Sequence, residues 1–589
     1  MCGLAGFTGE ASERVVKPMV EALACRGPDA QALWVGDGAT LGHTRLAIVD
    51  LVGGRQPMQA GRAVLAFTGE VYNHRELRAE LGRGGHRFAT VSDTEVVLAG
   101  YLAWGDGVVA RLEGMFAFAV WEPARRRLLL ARDRLGVKPL YYQRVDGGVR
   151  FASEPKALLA HPEAGACVDL DGLRELLLSS HPMTSTPGRS PFCGIAQLPP
   201  GCVLVATPER TELRRYWRLE PREHTDDLPT TIDTVRGLLD RAVRGELQAD
   251  VPRCTLLSGG LDSSVIAALV GAGQDTVSVE VGAAHGTDPM RRGWDAPYVA
   301  LMAERLESSH RQVALAAAEL ADPALREQVV AAKDGLSLGD FDFSALLLFR
   351  AVAERHKVAL SGEAADEIFG GYRWFQEEAV GFPWSGVLDR GDLARLLDPG
   401  LARLLDLDGY RRALYESAAA EIDHPASAGR AERRLRINSH LNLSRFLPGL
   451  LSRTDRLSMS CGLEVRVPFC DHRLVEYVFN VPWAMKSFDG REKSLLRAAA
   501  RGLVPGEILR RRKSPYPMVR DAAYRAALAV QVEDLLGGDG PALELLDAVA
   551  VRGLLLDAGR ADRFPREGLE FVLDLDVFLR LYRPTLELR

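Results

Sequence analysis

Residues 254–264 read CTLLSGGLDSS and run directly into the apolar stretch VIAALVGA. A short strand thus enters a glycine-rich turn, and a helix begins at once. Ser258, Gly259, Gly260, Asp262, Ser263 and Ser264 occupy that turn. Glycines let backbone N–H groups approach an anion, hydroxyls add donors, and a helix N-terminus favours negative charge. This is not the phosphate loop of kinases and GTPases, because GxxxxGK[ST] is absent. Asp262 puts a carboxylate where a phosphate binder has no use for a bare negative charge. A Mg²⁺ ion bridging to phosphate oxygens accounts for it. A plain βα turn with an acidic residue near its cap is the alternative.

Working outward, the pattern on either side alternates. An amphipathic helix, TVRGLLDRAVRGEL, precedes the strand. Strand TVSVEV, helix APYVALMAERL, strand RQVALA and strand KVALSG follow it. Strands alternating with helices of this length predict an α/β parallel sheet. The last strand opens into SGEAADEIFGGY, which carries Glu363, Asp366 and Glu367. Ligands of open parallel sheets bind beyond the carboxyl ends of strands, so both loops should face one crevice. An acidic turn capping a helix is the bland reading of this second loop. The last two hundred residues read as mostly helical.

Upstream, residues 1 to about 205 are different. ATLGHTRLAIVD, RAVLAFTGEVYN, GMFAFAVWE, RRRLLLARDRLG and GVRFASE read as short strands bounded by turn residues. HRELRAELGRGG and TEVVLAGYLAWG read as helices between them. The mixture predicts an α+β layered domain over 1–214, a polar linker at 215–228, and the α/β unit over 229–589. At 589 residues, two or more cores are required.

Bulk composition narrows the function. The chain has 73 Lys+Arg against 79 Asp+Glu, a net charge of −6, so no basic field for nucleic acid is expected. The run RRRK at Arg510–Lys513 is the local exception, either a solvated helix end or an anion-binding edge. No apolar run approaches the roughly 20 residues of a membrane helix, and no signal peptide is read. The eight cysteines are scattered without CxxC spacing, which predicts reduced thiols in a cytoplasmic protein. Cys2, in MCGLAGF, is either a half-buried thiol or a nucleophile whose own α-amine serves as base.

Taken in order, the motifs carry a resemblance. MCG, RGPD (Arg26–Asp29), HTRLAIVD, TGEVYNH, SDTEV, GMFAFAVW, RDRLGVKPLYY and SEPKAL resemble a class II glutamine amidotransferase domain, of the layered αββα Ntn-hydrolase type. SGGLDSS, LSGEAADEIFGGY, RTDRLSMSCGLEVRVPF and EKSLLR resemble an ATP-pyrophosphatase synthetase domain. Together, over nearly the whole length, they resemble the glutamine-hydrolysing asparagine synthetases.

The resemblance implies a role for each matching residue. Cys2 would attack the glutamine amide after Met1 is removed, its α-amine (pKa about 7.7–8.0) shuttling the proton. Thr68 and Gly69 would form the oxyanion hole. Arg45 would clamp the substrate carboxylate. Ile48 and Val49 would line the pocket with backbone groups available, and Glu70 and Asp93 would engage the glutamine amine or amide. Leu256, Ser258, Gly259, Gly260, Asp262, Ser263, Val281, Ser361, Gly362, Tyr372 and Lys493 would hold ATP. Asp262 and Asp366 would hold Mg²⁺ arriving with ATP, Tyr372 would lie near Glu363, and no prosthetic group is implied.

Glu363 would be the base for incoming ammonia, and the acceptor carboxylate would by default be aspartate. The stretch 336–350, LSLGDFDFSALLLFR, lies where acceptor contacts are expected. A homodimer is compatible with the family. Another acid as acceptor, or a catalytically quiet homologue, are the rival readings.

Two positions depart from the family pattern. Thr68 stands where an oxyanion-hole asparagine is usual, and adequate substitution by its hydroxyl is expected. Loss of one such donor costs about 10²–10³ in rate. Ala364 stands where glycine or serine follows the glutamate, so the loop around Glu363 is expected to sit slightly differently.

Overall fold

A computed structural model describes the chain except residues 1, 10, 181–182, 282–294, 376, 378–380, 386–392, 426–427, 515, 517–518, 520, 558–562 and 589, and the side chains of 281, 557 and 563–565. The first 215 residues form two stacked antiparallel sheets. One has the spatial order Ile195–Gln197, Tyr141–Val145, Gly148–Ala152, Gly3–Thr8, Ala39–Arg45, Ala30–Gly36. The other runs Thr211–Arg215, Cys202–Ala206, Arg127–Arg132, Gly114–Glu122, Ala63–Val71, Met58–Ala60.

Side-chain alternation explains the stacking. On Ala63–Val71, Val64 and Ala66 face the other sheet beside Leu4, Leu41 and Phe151, while Leu65 and Phe67 point outward. The outward residues meet helix Asp93–Trp104 through Val96 and Val97. On the opposite side, Val16, Met19 and Val20 of helix Glu13–Glu21 cover Ala5 and Phe7. Both sheets are therefore covered on both faces, an αββα sandwich. Local chemistry agrees with the boundaries: the Ser92 hydroxyl caps helix Asp93–Trp104 by accepting from the Thr94 N–H at 3.2 Å.

The chain then crosses by 216–227 to helix Leu228–Glu246, whose N-terminus Asp227 caps by accepting from the Thr230 N–H at 2.9 Å. The crossing is fastened along its length. Trp217 Nε1 donates to Glu476 at 2.5 Å, the Arg222 N–H to Asn480 at 2.6 Å and the Tyr477 hydroxyl to Asp226 at 2.6 Å.

The second unit is built on a five-stranded parallel sheet in the order Ser309–Leu315, Asp275–Val281, Arg253–Leu256, Val358–Leu360, Glu464–Arg466. Strands added first on one side and then on the other create a switch point between Arg253–Leu256 and Val358–Leu360. Loops leaving those two strands diverge there, which opens the crevice at their carboxyl ends. Helices make up most of the remainder, ending in the long Arg563–Tyr582. The final strand, Thr585–Glu587, returns to pair in parallel with Cys167–Asp169. All eight cysteines are unpaired, and no described helix is long and apolar enough to cross a membrane.

Candidate active sites

The two divergent loops touch. A Cβ on Gly362 would lie 2.6 Å from the Ser263 backbone nitrogen, so only glycine allows the SGE loop to approach the SGG turn this closely. In the turn, Ser263 Oγ accepts from the Ser258 N–H at 3.1 Å and lies 3.0 Å from Ser258 Oγ. Helix Leu261–Val270 starts directly behind it. Leu256 ends its strand, with the next N–H donated to Val277. Val281 ends its own strand, and its side chain lies outside the described residues.

Charge converges in front of this turn. Lys493 Nζ donates to both carboxylate oxygens of Asp262 and to Asp366 Oδ1, each at 2.7 Å. Burial disfavours the Lys493 charge, but Asp262 and Asp366 outweigh it and push its pKa up. Asp366 is held well below the usual carboxylate range, burial being outweighed by Lys493 and Lys513. Its neighbour Glu367 goes the other way, up to about 8, through burial and the Asp366 charge. Asp262 and Asp366 would suit a Mg²⁺ ion brought with ATP, since carboxylate oxygens are its usual protein ligands.

Lys513 was not singled out individually by sequence reasoning. It belongs to the basic run that left a solvated helix end and an anion-binding edge open. Its ammonium meets Asp366, while Arg511 meets Asp295, donates to the Ser258 carbonyl and covers the Tyr298 ring at 4.3 Å. Arg511 and Lys513 are therefore folded over the turn, while Arg510 stays exposed at its helix end beside Glu507. The spacing of RRRK contained the signal, but its direction depended on the tertiary fold.

Glu363 precedes Asp366 on the same loop. Its N–H donates to Ser361 Oγ at 3.2 Å, and its carboxylate accepts from Thr454 Oγ1 at 2.7 and 3.0 Å. Burial pushes its pKa up, with the Thr454 bond and Arg453 opposing. Ala364 keeps a left-handed backbone, φ +75°, despite its Cβ. The loop thus takes a conformation that favours glycine. The Tyr372 hydroxyl donates to Glu367 at 2.5 Å and its ring stacks on Trp374, and burial together with the Glu367, Asp366 and Glu363 carboxylates pushes its pKa well up.

The 336–350 stretch uses its acidic residues internally. Asp342 is fully buried and accepts from Lys333 at 2.7 Å, Arg453 Nε at 2.5 Å and the Leu338 N–H at 2.7 Å. Asp340 accepts from the Val519 N–H at 2.5 Å and pairs with Arg566 at 3.0 Å. Phe341 instead faces Tyr516, ring centroids 5.8 Å apart.

The second site lies at the start of the chain. Cys2 is buried at the head of strand Gly3–Thr8, its Sγ 3.9 Å from the Leu46 carbonyl. Burial pushes the thiol up to about 11, against the chain's α-amino charge, the Leu46 contact and Arg45. The Cys2 carbonyl accepts two donors, Thr68 Oγ1 at 2.8 Å and Arg26 Nε at 3.3 Å. This corrects the expected role of Thr68. Its single hydroxyl proton holds the backbone of the nucleophile and is not directed into an oxyanion hole. Gly69 follows with φ +133°, where a Cβ would come within 2.0 Å of the Met115 carbonyl.

Around Cys2 the predicted cradle assembles with changes. Arg45 donates from Nη2 to the Asp50 carbonyl at 2.6 Å and from Nη1 to that of Leu51 at 3.0 Å. Asp93 accepts from the Val71 N–H at 3.0 Å. Glu70 lies 3.5 Å from Arg466, and burial beside Glu464 and Asp93 pushes its pKa well up. The Ile48 carbonyl accepts from the Asp250 N–H at 2.9 Å. Its side chain packs with Leu135 and Val235, and Val49 lies against the same cluster.

Comparison with known proteins bears on the whole chain. A family model described as asparagine synthase matches residues 234–580, and one described as a glutamine amidotransferase domain matches 1–217. The chain belongs to the asparagine synthase family. Asparagine synthetase [glutamine-hydrolyzing] 3 of Bacillus subtilis is 38% identical over 96% of this chain and 95% of its own length. Asparagine synthetase 2 of the same organism is 30% identical over 89% and 73%. Amidase chry2 of Gibberella zeae is 29% identical over 88% of each. The relatives of this chain thus carry different names for their activity.

Proposed function

We propose that the chain is a two-site, glutamine-dependent amide synthetase whose acceptor is aspartate. The observation that carries this is the convergence of Asp262, Asp366 and Lys493 on one point at the switch of a parallel sheet, with Glu363 on the loop that supplies Asp366. In the first site Cys2 attacks the glutamine amide carbon, and the α-amine freed by loss of Met1 takes the thiol proton and returns it to the departing ammonia. The Gly69 N–H is the donor left for the tetrahedral oxyanion, and Arg45, Glu70 and Asp93 hold the substrate's charged end. Water then hydrolyses the γ-glutamyl thioester to glutamate.

In the second site the acceptor carboxylate attacks the α-phosphorus of ATP and pyrophosphate leaves. Ser258, Gly259, Gly260 and Ser263 cradle the phosphates, and Leu256, Val281, Ser361 and Gly362 the adenosine. Lys493 balances charge on the departing pyrophosphate. Asp262 and Asp366 would hold Mg²⁺, which supplies Lewis-acid neutralisation of phosphate charge. Ammonia attacks the acyl-adenylate, Glu363 takes its surplus proton, and AMP leaves with the amide formed.

A second reading, that the acceptor is another carboxylic acid, is favoured by one feature. Asp340 and Asp342 are consumed by internal pairs, and Phe341 and Tyr516 set aromatic surface in the expected acceptor region. Pyrophosphate release with ATP, Mg²⁺ and glutamine, compared across aspartate and a panel of carboxylates, tests both. Release with aspartate supports the first reading; release only with another acid overturns it.

A further inference from the structure

Thr454 stands in the interior of helix Leu447–Met459, where a threonine costs a little helix stability and ordinarily turns its hydroxyl back onto the preceding turn. Here the hydroxyl proton is directed to another element. Thr454 Oγ1 donates to the Glu363 carboxylate, 2.7 Å from one oxygen and 3.0 Å from the other. A branched Cβ restricts χ1, so the hydroxyl is set in place before any substrate arrives. Thr454 is buried, while Glu363 stays half-buried on the loop that leaves strand Val358–Leu360.

The surroundings give that one proton its weight. Among the described residues no other donor reaches the Glu363 carboxylate. Arg453, one position earlier on the helix, faces Glu363, but its guanidinium is engaged by Asp342 and by the Phe341 carbonyl, each at 2.5 Å. Tyr372 and Cys470, the latter on the turn Pro468–Cys470, also face Glu363, and burial beside carboxylates pushes both up, so neither brings a cation. Asp366 and Glu367 follow on the same loop and add only carboxylates. A carboxylate offers about four lone-pair directions, and one shared proton leaves most of them open.

We propose that Thr454 is a positioning residue for the amide-forming step, its hydroxyl aiming the Glu363 carboxylate at the incoming nitrogen. This rests on the reading of Glu363 as the base. In that step the nitrogen lone pair forms the C–N bond, and the bond from the acyl carbon to AMP breaks with its electrons going to AMP. The surplus nitrogen proton passes to Glu363, and a carboxyl already protonated cannot take it. Burial pushes the Glu363 carboxyl up, and the Thr454 bond opposes that push ahead of Arg453. Without the hydroxyl, Glu363 should ionise only at higher pH. A hydrogen bond to a charged group is worth a displacement of about one to two pH units.

The test is the ratio of amide formed to pyrophosphate released by the full chain, followed against pH. ATP·Mg²⁺, aspartate and ammonium chloride are supplied, with free ammonia held constant; if aspartate releases no pyrophosphate, the acid from the carboxylate panel that does so replaces it. In Thr454→Val the acid limb of the ratio should move about one unit or more to higher pH, a loss of about tenfold on that limb. The ratio should return toward the wild-type value once alkaline solution ionises Glu363. Thr454→Ser keeps the hydroxyl and should follow wild type. Thr454→Ala also removes the hydroxyl and replaces Thr454→Val if that variant fails to fold.

Glu363→Gln is measured in parallel. A wild-type ratio in Glu363→Gln, or no pyrophosphate with any acid, would refute the reading of Glu363 as base and the proposal with it. A low ratio in Glu363→Gln, together with a Thr454→Val profile that overlies wild type or is depressed equally at every pH, would refute the positioning role alone.

Discussion

Replacing Asp455 by asparagine removes one charge from a place where the Arg26, Lys138 and Asp455 side chains are 2%, 1% and 2% exposed. One carboxylate there serves two cations, Arg26 Nη1 at 2.8 Å and Lys138 Nζ at 2.9 Å. An amide would hydrogen-bond one of them, but both would remain desolvated with less counter-charge. Breaking a buried pair by removing one partner costs about 3–5 kcal/mol, and the shared carboxylate argues for the upper part of that range. Adding Lys138→Met removes one stranded cation, so the double variant should recover about 1–3 kcal/mol.

Acid adds a second signature. Burial works against ionisation of Asp455, yet Arg26 and Lys138 hold its carboxyl well below the ordinary range. A group with a depressed native pKa stabilises the fold above its unfolded value, about 3.9, and that contribution disappears as pH falls toward the native value. Urea unfolding of wild type and Asp455→Asn should therefore differ most at pH 7 and converge below about pH 4. A loss under about 1 kcal/mol at pH 7, or a difference unchanged down to pH 3, would refute the reasoning.

Other outcomes follow from the same geometry. Glu363→Gln should retain pyrophosphate release while amide formation falls by about 10²–10⁴, which separate pyrophosphate and amide assays would resolve. Lys513→Ala should weaken binding of Mg·ATP by roughly tenfold or more in calorimetry, because a charged contact is worth about 1.5–3 kcal/mol. In a chain retaining Met1, alkylation of Cys2 by iodoacetamide should keep rising through pH 9 without a plateau, since burial holds the thiol near about 11.

The sheet architecture was readable because alternation and turn chemistry are local. ATLGHTRLAIVD and RAVLAFTGEVYN became the strands Ala39–Arg45 and Ala63–Val71, and CTLLSGGLDSS became a strand–turn–helix at the sheet's switch point. What was not readable is long-range. RGPD, GVKPLYY, SEPKAL and RTDRLS looked like separate markers, yet Arg26, Lys138, Glu154 and Asp455 meet in one buried ion cluster between the two halves. No spacing rule links residues more than three hundred positions apart. Thr68 shows a different gap: its residue type signalled a donor, but only the fold revealed that the Cys2 carbonyl is the acceptor. Asp340 and Asp342 likewise read as candidates for ligand contact, and burial turned both into structural counter-ions.

If two separate sites share one nitrogen, Cys2→Ala should separate them. Product formation is followed by pyrophosphate and amide assays with ATP·Mg²⁺ and the acceptor, once with glutamine and once with ammonium chloride. Glutamine-driven synthesis should be lost and ammonium-driven synthesis retained. Loss of both, or persistence of glutamine-driven synthesis, would contradict it.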